Sequence, residues 1–232
     1  SYCEHLENPV DRSKELAHLI DAVTTHKTDF FREPSHFDYL TRQALPDLVA
    51  REQAGVRRPL GVWSSACSTG EEPYTLAMVL SDYACSNSTH SFRFRIEATD
   101  ISPVVLEKGR MGVYPEAVAA PVPREHRQRY LLRSKNAQRD LIRVGPQLRA
   151  AVRFRQLNLM DASYEFPEPF DIVFCRNVMI YFDRATQHSI LSRIIRTLRP
   201  GGYLFMGHAE SLSGLDLPLI QVEPAIYRRP HG

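Results

Sequence analysis

Residues 64–74 read S-S-A-C-S-T-G-E-E-P-Y and combine one glycine with two adjacent acids and a proline. The segment lies between a short apolar run and an amphipathic one, so it predicts a strand-to-helix turn, where parallel sheets bind nucleotide cofactors. The phosphate-binding patterns G-x-G-x-x-G and G-x-x-x-x-G-K-[ST] are absent. Because Glu71 and Glu72 would repel a pyrophosphate, the turn suits a cationic or neutral ligand. The alternative is that both acids only complement the helix dipole, worth roughly 0.3–1 kcal/mol each.

Polar side chains also end three other predicted strands, at the edge of the sheet where a ligand would bind. Asp100 follows the strand predicted at 92–99, and its carboxylate is suited to accept hydrogen bonds from the two hydroxyls of an adenosyl ribose. N-L at 158–159 and C-R-N-V at 175–178 end the other two. The alternatives are that Asp100 is an exposed N-cap of the next helix and that Asn177 caps the next turn.

Three further side chains are expected near this edge of the sheet. Tyr181 and Phe182 follow in M-I-Y-F-D, although an aromatic pair at such a position is more often part of the core. Arg32 lies in the irregular segment T-D-F-F-R-E ahead of the first strand, where the chain can fold over the open end of the site. The alternative for Arg32 is an ordinary surface charge.

Alternating strand and helix patterns predict an α/β fold with an open, mostly parallel sheet that is covered on both faces. The predicted strands lie at 59–65, 92–99, 170–175 and 203–207, followed by a closing hairpin at 218–228. Helices are predicted at 13–24, 102–110 and 184–198, and Pro200-Gly201-Gly202 is expected to end the last of these. A further helix is predicted to begin at a Ser35/Asp38 capping pair, and another to have Pro73 in its first turn.

The segment 112–150 interrupts this alternation and is rich in proline and basic residues. Short β-like pieces at 129–132, 141–145 and 152–157 predict an inserted antiparallel subdomain at about 126–154.

The composition excludes several classes of protein. The chain has 232 residues, 43% apolar content and a formal net charge of +2, from 29 basic and 27 acidic residues. This length allows one sizeable core, and the balanced charge argues against nucleic-acid binding. No apolar run reaches the roughly 18–20 residues of a membrane span, and the N-terminus lacks a signal-peptide pattern. Four widely spaced cysteines show no metal pairing and fit a reduced, cytoplasmic setting. A monomer is the default expectation.

Five segments taken together resemble the chemoreceptor glutamate methyltransferases, the CheR-type family. They are T-T-H-K-T-D-F-F-R-E (24–33), W-S-S-A-C-S-T-G-E-E-P-Y (63–74), A-T-D-I (98–101), F-C-R-N-V-M-I-Y-F-D (174–183) and G-H-A-E-S-L (207–212). Their order and spacing match as well, and the resemblance spans nearly the whole chain. It implies a class I, Rossmann-like methyltransferase domain with a small inserted β subdomain. The implied cofactor is S-adenosylmethionine, the product is S-adenosylhomocysteine, and no metal is implied.

The resemblance also implies roles for individual residues. Glu72 would help to hold the cationic methionine end of the cofactor, and Asp100 would bind the ribose hydroxyls. Thr28 and Arg32 would reach the methionine part, and we expect Arg32 and Tyr181 to orient the acceptor glutamate. The complete cofactor-binding set is His26, Thr28, Arg32, Ala66, Ser68, Gly70, Glu72, Asp100, Asn158, Leu159, Asn177 and Val178.

The sequence departs from the family pattern at His26, where Asn is usual, and at Ala209, where Ser is usual. Family members also carry an N-terminal helical domain that docks on receptors. Residues 1–24 would be its last part, followed by the methyltransferase domain at 25–230. In some members a glycine-rich turn of the β subdomain pairs with a receptor's C-terminal tail. Here S-K-N-A-Q-R-D (134–140) has no glycine, which argues against tail-peptide binding.

The resemblance therefore predicts methyl transfer to glutamate side chains of a chemoreceptor. A glutamate with a pKa near ~4.3 is already ionised, so in-line displacement at the methyl group needs no general base. Positioning and dehydration of the carboxylate would provide the catalysis. The alternatives are a non-catalytic cofactor-binding docking module and a methyltransferase for another carboxylate. A nucleic-acid methyltransferase is disfavoured, because the strand ends in R-N-V-M and not in an N-P-P-Y-like turn.

Overall fold

The structure is a computed structural model that describes residues 27–86, 92–134 and 140–231. The helix predicted at 13–24 and most of the 134–140 turn lie outside the described residues. Within the described ranges, no helix has both the length and the apolar composition needed to cross a membrane.

The described secondary structure alternates between strands and helices over most of its length. The strands are β1 (Leu60–Ser65), β2 (Phe94–Asp100), β3 (Val113–Pro115), β4 (Leu131–Arg133), β5 (Leu141–Val144), β6 (Val152–Gln156), β7 (Phe170–Cys175), β8 (Leu198–Met206), β9 (Ile220–Glu223) and β10 (Ile226–Arg228). The α-helices are α1 (Pro34–Tyr39), α2 (Leu45–Glu52), α3 (Glu71–Ser86), α4 (Pro103–Met111), α5 (Arg124–Tyr130), α6 (Pro146–Ala151) and α7 (Arg184–Thr197).

The main sheet has seven strands in the order β6-β2-β1-β7-β8-β10-β9. The first five strands in this order are parallel to one another, and the β9–β10 hairpin adds two antiparallel strands at the edge. The predicted α/β fold with a mostly parallel sheet is therefore confirmed. The carboxyl ends of the five parallel strands all point to the same edge of the sheet, where ligands bind in such folds.

Both faces of the sheet are covered. Every residue of β1 and β7 is buried, as expected for strands at the centre of a parallel sheet that is covered on both faces. Ile172 and Phe174 pack in a core with residues of α1, α2 and α3, whereas Val173 and Cys175 pack in a second core with α7. The alternation of side chains along β7 thus separates two apolar layers.

The inserted segment differs from the prediction in one strand. The small antiparallel sheet has the order β3-β5-β4, so it contains the predicted pieces near 129–132 and 141–145. The third predicted piece, at 152–157, is instead β6, which pairs in parallel with β2 at the edge of the main sheet. Period-two alternation indicates a strand but does not specify its partner, which explains the error. The segment also contains α5 and α6, which the sequence pattern did not predict.

The predicted start of the helix after 24–34 was wrong. Its first residue is Pro34. Proline lacks a backbone N–H, and the first turn of a helix does not need one for its internal hydrogen bonds. No side chain caps this end, and Ser35 lies inside the helix, so the Ser35/Asp38 capping pair is not formed. The apolar residues at helical spacing in this segment are nevertheless predicted correctly as a buried stripe. They are Phe37, Leu40, Ala44, Leu45 and Leu48, and they lie in α1, a π-turn at Leu40–Ala44 and α2.

The prediction that Pro200-Gly201-Gly202 ends the helix at 184–198 is wrong. The helix ends at Thr197, and all three residues belong to β8, where the pairing with β7 shifts in register. Gly201 has φ +79°, a backbone conformation that residues with a side chain rarely adopt. Glycine at this position therefore permits the irregularity within the strand.

Candidate active site

A cavity of about 440 Å³ opens where the chain leaves β1, β2, β6 and β7. It brings together most of the residues predicted for the site. These are Thr28, Arg32, Ala66, Ser68, Glu72, Asp100, Asn158, Leu159, Asn177, Val178 and Tyr181. Gly70 does not line the cavity, and His26 lies outside the described residues.

The turn after β1 forms one wall of the cavity and has an unusual backbone. Ala66 and Ser68 have φ values of 53° and 49°, and Gly70 has φ +99°. Positive φ values at non-glycine residues cost conformational energy and tend to occur at functional sites. The turn is held to β2, because the Cys67 N–H donates to the Thr99 carbonyl oxygen at 2.9 Å.

Asp100 ends β2 beside this turn and is 8% exposed. One of its carboxylate oxygens accepts a hydrogen bond from the Ser68 N–H at 2.9 Å, and the other accepts one from the Ser102 N–H at 3.0 Å. The side chain that caps α4 is that of Ser102, so the alternative role of Asp100 as an exposed N-cap is wrong. Each carboxylate oxygen keeps acceptor capacity for a ligand in the cavity.

The two adjacent acids of the E-E-P turn have different environments. The Glu71 carboxylate is buried away from the cavity and accepts from the Thr69 hydroxyl at 2.6 Å, and burial raises the pKa of Glu71. Glu72 lines the cavity, with its side chain 14% exposed, and accepts from the Ser64 hydroxyl at 2.7 Å. Burial also raises the pKa of Glu72, although the nearby Arg176 opposes this change. Only Glu72 is therefore available to a ligand.

Arg176 is a central residue of the site that the sequence reasoning missed. Its side chain is 2% exposed, and its guanidinium lies 3.2 Å from Glu72 Oε2 and 2.9 Å from Glu33 Oε2. The same guanidinium donates to the Arg32 carbonyl oxygen and lies over the rings of Phe37 and Phe174. The available signal was an arginine directly after the mostly apolar strand β7, because an arginine buried at such a strand end requires partners.

The segment that carries Arg32 folds over this cavity in a constrained turn, 30–33. The flanking residues Phe31 and Glu33 have φ values of 54° and 57°. The Phe31 N–H donates to the Thr75 hydroxyl of α3 at 3.1 Å, and Arg32 Nη1 donates to the Lys27 carbonyl oxygen at 3.1 Å. Arg32 is half-buried and lines the cavity, so it is not an ordinary surface charge.

Glu210 organises the turn after β7, and the sequence reasoning did not identify it. This buried carboxylate accepts three backbone N–H groups, from Asn177 at 2.9 Å, Met179 at 2.7 Å and Gly207 at 2.7 Å. These bonds fix Asn177 at φ 58°, with its side chain at the cavity. Asn177 does not cap the following 3₁₀ turn, Met179–Tyr181, which has no side-chain cap.

The last part of the wall comes from the segments after β6 and β7. Asn158 accepts from the Met160 N–H at 2.9 Å, which shapes the loop, and Leu159 is buried beside it. Tyr181 is 58% exposed at the opening of the cavity, and Phe182 is half-buried in its wall. The alternative placement in the core is therefore wrong for Tyr181, whereas Phe182 both lines the cavity and packs against the core beneath α7.

The cavity offers several kinds of contact to a ligand. Asp100 and Glu72 supply acceptors for hydroxyl or ammonium groups, Arg32 supplies a guanidinium for a carboxylate, and Leu159 and Val178 supply apolar surface for a flat ring. Cys67 also lines the cavity, but burial raises the pKa of its thiol well above the usual range, so it remains protonated at neutral pH. The site thus favours binding of a charged, partly apolar ligand over nucleophilic catalysis by a side chain.

Glu33, His36 and His208 form a cluster next to the cavity, with potential ligand atoms within 4.8 Å of one another. Burial and the charge of Arg176 lower the pKa of His36 to about 4, so its imidazole is neutral. Glu33 is already paired with Arg176, whose buried positive charge would repel a metal ion. We therefore assign no metal to this cluster.

Comparisons with known proteins agree with the geometry. Residues 26–227 match the sequence profile of the family described as "CheR methyltransferase, SAM binding domain". The chain is 40% identical over 215 residues to a chemotaxis protein methyltransferase of Borreliella burgdorferi, covering 93% of this chain and 74% of that protein. It is 43% identical over 204 residues to a chemotaxis protein methyltransferase of Escherichia coli K12, covering 88% of this chain and 67% of that protein. A crystal structure of DszA carbon methyltransferase is similar at a TM-score of 0.44 and 20% identity, covering 85% of this chain and 39% of that chain.

Proposed function

The chain belongs to the CheR methyltransferase family, and we propose that it transfers a methyl group from S-adenosylmethionine to glutamate side-chain carboxylates of a chemoreceptor. The family match is to a SAM-binding domain and spans residues 26–227. The observation that carries the proposal is the cavity at the carboxyl ends of the parallel strands, which brings together carboxylates, the arginines Arg32 and Arg176, and apolar side chains.

The residues present fit this cofactor. The carboxylate of Asp100 is held by two backbone N–H groups and keeps acceptor capacity for ribose hydroxyls. In the proposal, Leu159, Val178 and Asn158 contact the adenine ring, and Ser68 and Ala66 line the adenosyl side. Thr28, Arg32 and Glu72 contact the methionine end, which carries both an ammonium and a carboxylate. The remaining predicted contacts are Gly70, through the shape of its turn, Asn177 and His26.

S-adenosylmethionine, when bound, supplies a methyl group on a positively charged sulfur. The acceptor glutamate is already ionised at neutral pH, so no side chain of the protein must remove a proton. Arg32 can donate charge-assisted hydrogen bonds to the acceptor carboxylate and hold it in line with the methyl group. Tyr181 at the opening has a hydroxyl that can donate to the same carboxylate. The half-buried position of Arg32 reduces competition from water.

The finer parts of the proposal follow from this substrate. The partner is the cytoplasmic domain of a chemoreceptor, and the protein acts in the cytoplasm as a monomer, without nucleic acid or membrane insertion. The free thiols of the described Cys67, Cys85 and Cys175 agree with a reducing compartment. No metal takes part, because the reaction needs neither a Lewis acid nor an activated water. Tail-peptide binding is not part of the proposal.

The cofactor half of the proposal is tested by calorimetric titration with S-adenosylmethionine and S-adenosylhomocysteine. Asp100→Ala should weaken both affinities, because it removes the acceptors proposed for the ribose hydroxyls. We expect a loss of at least about 1.4 kcal/mol, which corresponds to about tenfold. Asp216→Ala is the matched control, since Asp216 is exposed and lies outside the cavity. Equal affinity of the two variants would overturn the assigned cofactor position.

The acceptor half is tested with radiolabelled methyl donor and a receptor cytoplasmic domain. We expect base-labile label, which identifies a methyl ester, and its loss when the accepting glutamates are replaced by alanine. Arg32→Ala should lower turnover by about 100-fold, because a misplaced acceptor loses its alignment, whereas the exposed control Arg42→Ala should not. Cofactor binding without any transfer would favour the docking module, and transfer only to other carboxylates would favour a different substrate.

A further inference from the structure

The turn 30–33 holds Arg32 at the cavity in a conformation that does not form readily by itself. Phe31 and Glu33, on either side of Arg32, are both in the left-handed region, with φ values of 54° and 57°. Residues with a Cβ atom avoid this region, so two of them in one turn require support from elsewhere in the fold. The support must come from groups that contact this turn.

Arg176 is the main contact of this turn from the sheet. Its Nη2 atom donates both to the Arg32 carbonyl oxygen and to Glu33 Oε2, the latter at 2.9 Å. Its Nη1 atom donates to Glu72 Oε2 at 3.2 Å, in the first turn of α3. One planar guanidinium therefore links the turn that carries Arg32 to the helix that carries Glu72.

The surroundings of Arg176 make these contacts strong. Its side chain is 2% exposed, and those of Glu33 and Glu72 are each 14% exposed, so solvent screens their attraction weakly. The guanidinium lies 5.7 Å from the ring centre of Phe37 and 5.9 Å from that of Phe174, which restrict its plane. A lysine could not replace it, because one ammonium lacks the planar fork that reaches both sides.

We infer that Arg176 is a positioning residue for methyl transfer, which holds Arg32 toward the acceptor and couples its position to Glu72. The inference rests on the proposed function, in which Glu72 contacts the cofactor and Arg32 contacts the acceptor. Arg176 also lines the cavity, but the hydrogen bonds of its guanidinium go to the Arg32 carbonyl and the two carboxylates, so it acts through the 30–33 turn. Binding of the cofactor at Glu72 is thereby linked to the orientation of Arg32.

The test compares Arg176→Lys and Arg176→Gln with Arg58→Gln. Arg58 also forms two hydrogen bonds to a buried carboxylate, that of Asp171, but it does not line the cavity. A purely structural role of Arg176 would give the behaviour of Arg58→Gln, which should lower thermal stability and leave kcat unchanged at temperatures well below unfolding. We expect both Arg176 variants to lower kcat by about 100-fold, as a misplaced reacting group does. The Kd for S-adenosylhomocysteine should rise by a smaller factor, because Arg32 and Glu72 are also proposed to contact the cofactor.

A second readout does not depend on activity. Hydrogen exchange of the backbone amides at 30–36 should become faster in both Arg176 variants and stay unchanged in Arg58→Gln. Glu33→Gln removes the same contact from the other side, so it should accelerate exchange in this segment too. The double variant Glu33→Gln/Arg176→Gln should lower kcat by less than the product of the two single effects, because both substitutions break the same network.

The outcomes separate the inference from the proposed function. Unchanged exchange at 30–36 in Arg176→Lys, or kcat within about twofold of the unmodified protein while Arg32→Ala is inactive, overturns the positioning role. Faster exchange at 30–36 in a protein that methylates no receptor would support the positioning role and reject the proposed substrate. The conservative Arg176→Lys and the milder Glu33→Gln keep the test open if Arg176→Gln does not fold.

Discussion

The guanidinium of Arg58 and the carboxylate of Asp171 meet in two hydrogen bonds of 2.7 and 2.6 Å, although 113 residues separate them in the sequence. Asp171 is 1% exposed and also accepts from the Gly61 N–H at 2.8 Å. The pair joins the beginnings of β1 and β7, at the edge of the sheet opposite the cavity. It thus stabilises the two central strands whose other ends form the site.

Arg58→Gln should lower the free energy of unfolding by about 2–4 kcal/mol, because it leaves the buried Asp171 carboxylate without its main cationic partner. Urea unfolding followed by the fluorescence of Trp63, the single and fully buried tryptophan, measures this change. The control is Glu107→Gln, which removes an exposed ion pair with Arg110 and should cost less than about 1 kcal/mol. Equal losses in the two variants would contradict the structural role of Asp171.

Gly70→Ala should destabilise the turn after β1 by about 2 kcal/mol. Gly70 has φ +99°, and a Cβ atom there would lie 3.1 Å from both the Gly109 Cα and the Tyr114 hydroxyl. Gly214→Ala is the control, because Gly214 has φ +78° but its Cβ atom would meet no atom closer than 3.6 Å. Urea unfolding should show the larger loss for Gly70→Ala. The affinity for S-adenosylhomocysteine, measured by titration, should fall only in that variant. A larger loss of unfolding free energy for Gly214→Ala would refute the crowding argument.

Glu210→Gln should disturb the turn that carries Asn177. The substitution replaces one acceptor oxygen by an NH₂ group that faces backbone N–H donors, and an unsatisfied buried donor costs about 1–3 kcal/mol. We expect this loss in the free energy of unfolding together with weaker cofactor binding, both measured on the same preparation. Glu223→Gln, at an exposed position of β9, should change neither quantity. Normal cofactor binding by Glu210→Gln would mean that the turn keeps its shape without the carboxylate.

His36 should make the stability of the protein depend on pH. Burial and the charge of Arg176 lower its pKa from 6.5 to about 4, and Glu33 opposes this change only partly. Between these values the unfolded chain binds more protons than the folded one. Stability is therefore fully present above pH 6.5 and decreases as the pH falls toward 4, by roughly 3 kcal/mol at most. Unfolding at pH 7.5, 6 and 5 measures the slope.

The control for this prediction is His36→Leu, which removes the titrating ring and should flatten the slope between pH 7 and 5. His188→Gln, at an exposed position, should leave the slope as it is. The folded pKa of Glu33 is also lowered, by Arg176 against the effect of burial, but its contribution belongs to the more acidic range. An identical slope in the unmodified protein and in His36→Leu would show that His36 is not responsible.

The sequence alone predicted the parts of the fold that depend on local pattern. Short, mostly apolar runs predicted β1 and β7, and the E-E-P turn predicted the start of α3. The errors concern choices that local pattern does not determine. The strand predicted at 152–157 pairs with β2 and not with the small sheet. Pro200-Gly201-Gly202 lies within β8 and does not end a helix.

The sequence by itself determined the family, through five motifs in a fixed order, and it determined which strand ends carry polar residues. The tertiary structure alone decided which of those residues act together. Arg176 meets Glu33 and Glu72 across separations of 143 and 104 residues, and Glu210 meets Asn177 across 33. Hydrophobic periodicity and turn chemistry act over a few residues, whereas such contacts arise only when strand pairing brings distant chain ends to one edge of the sheet.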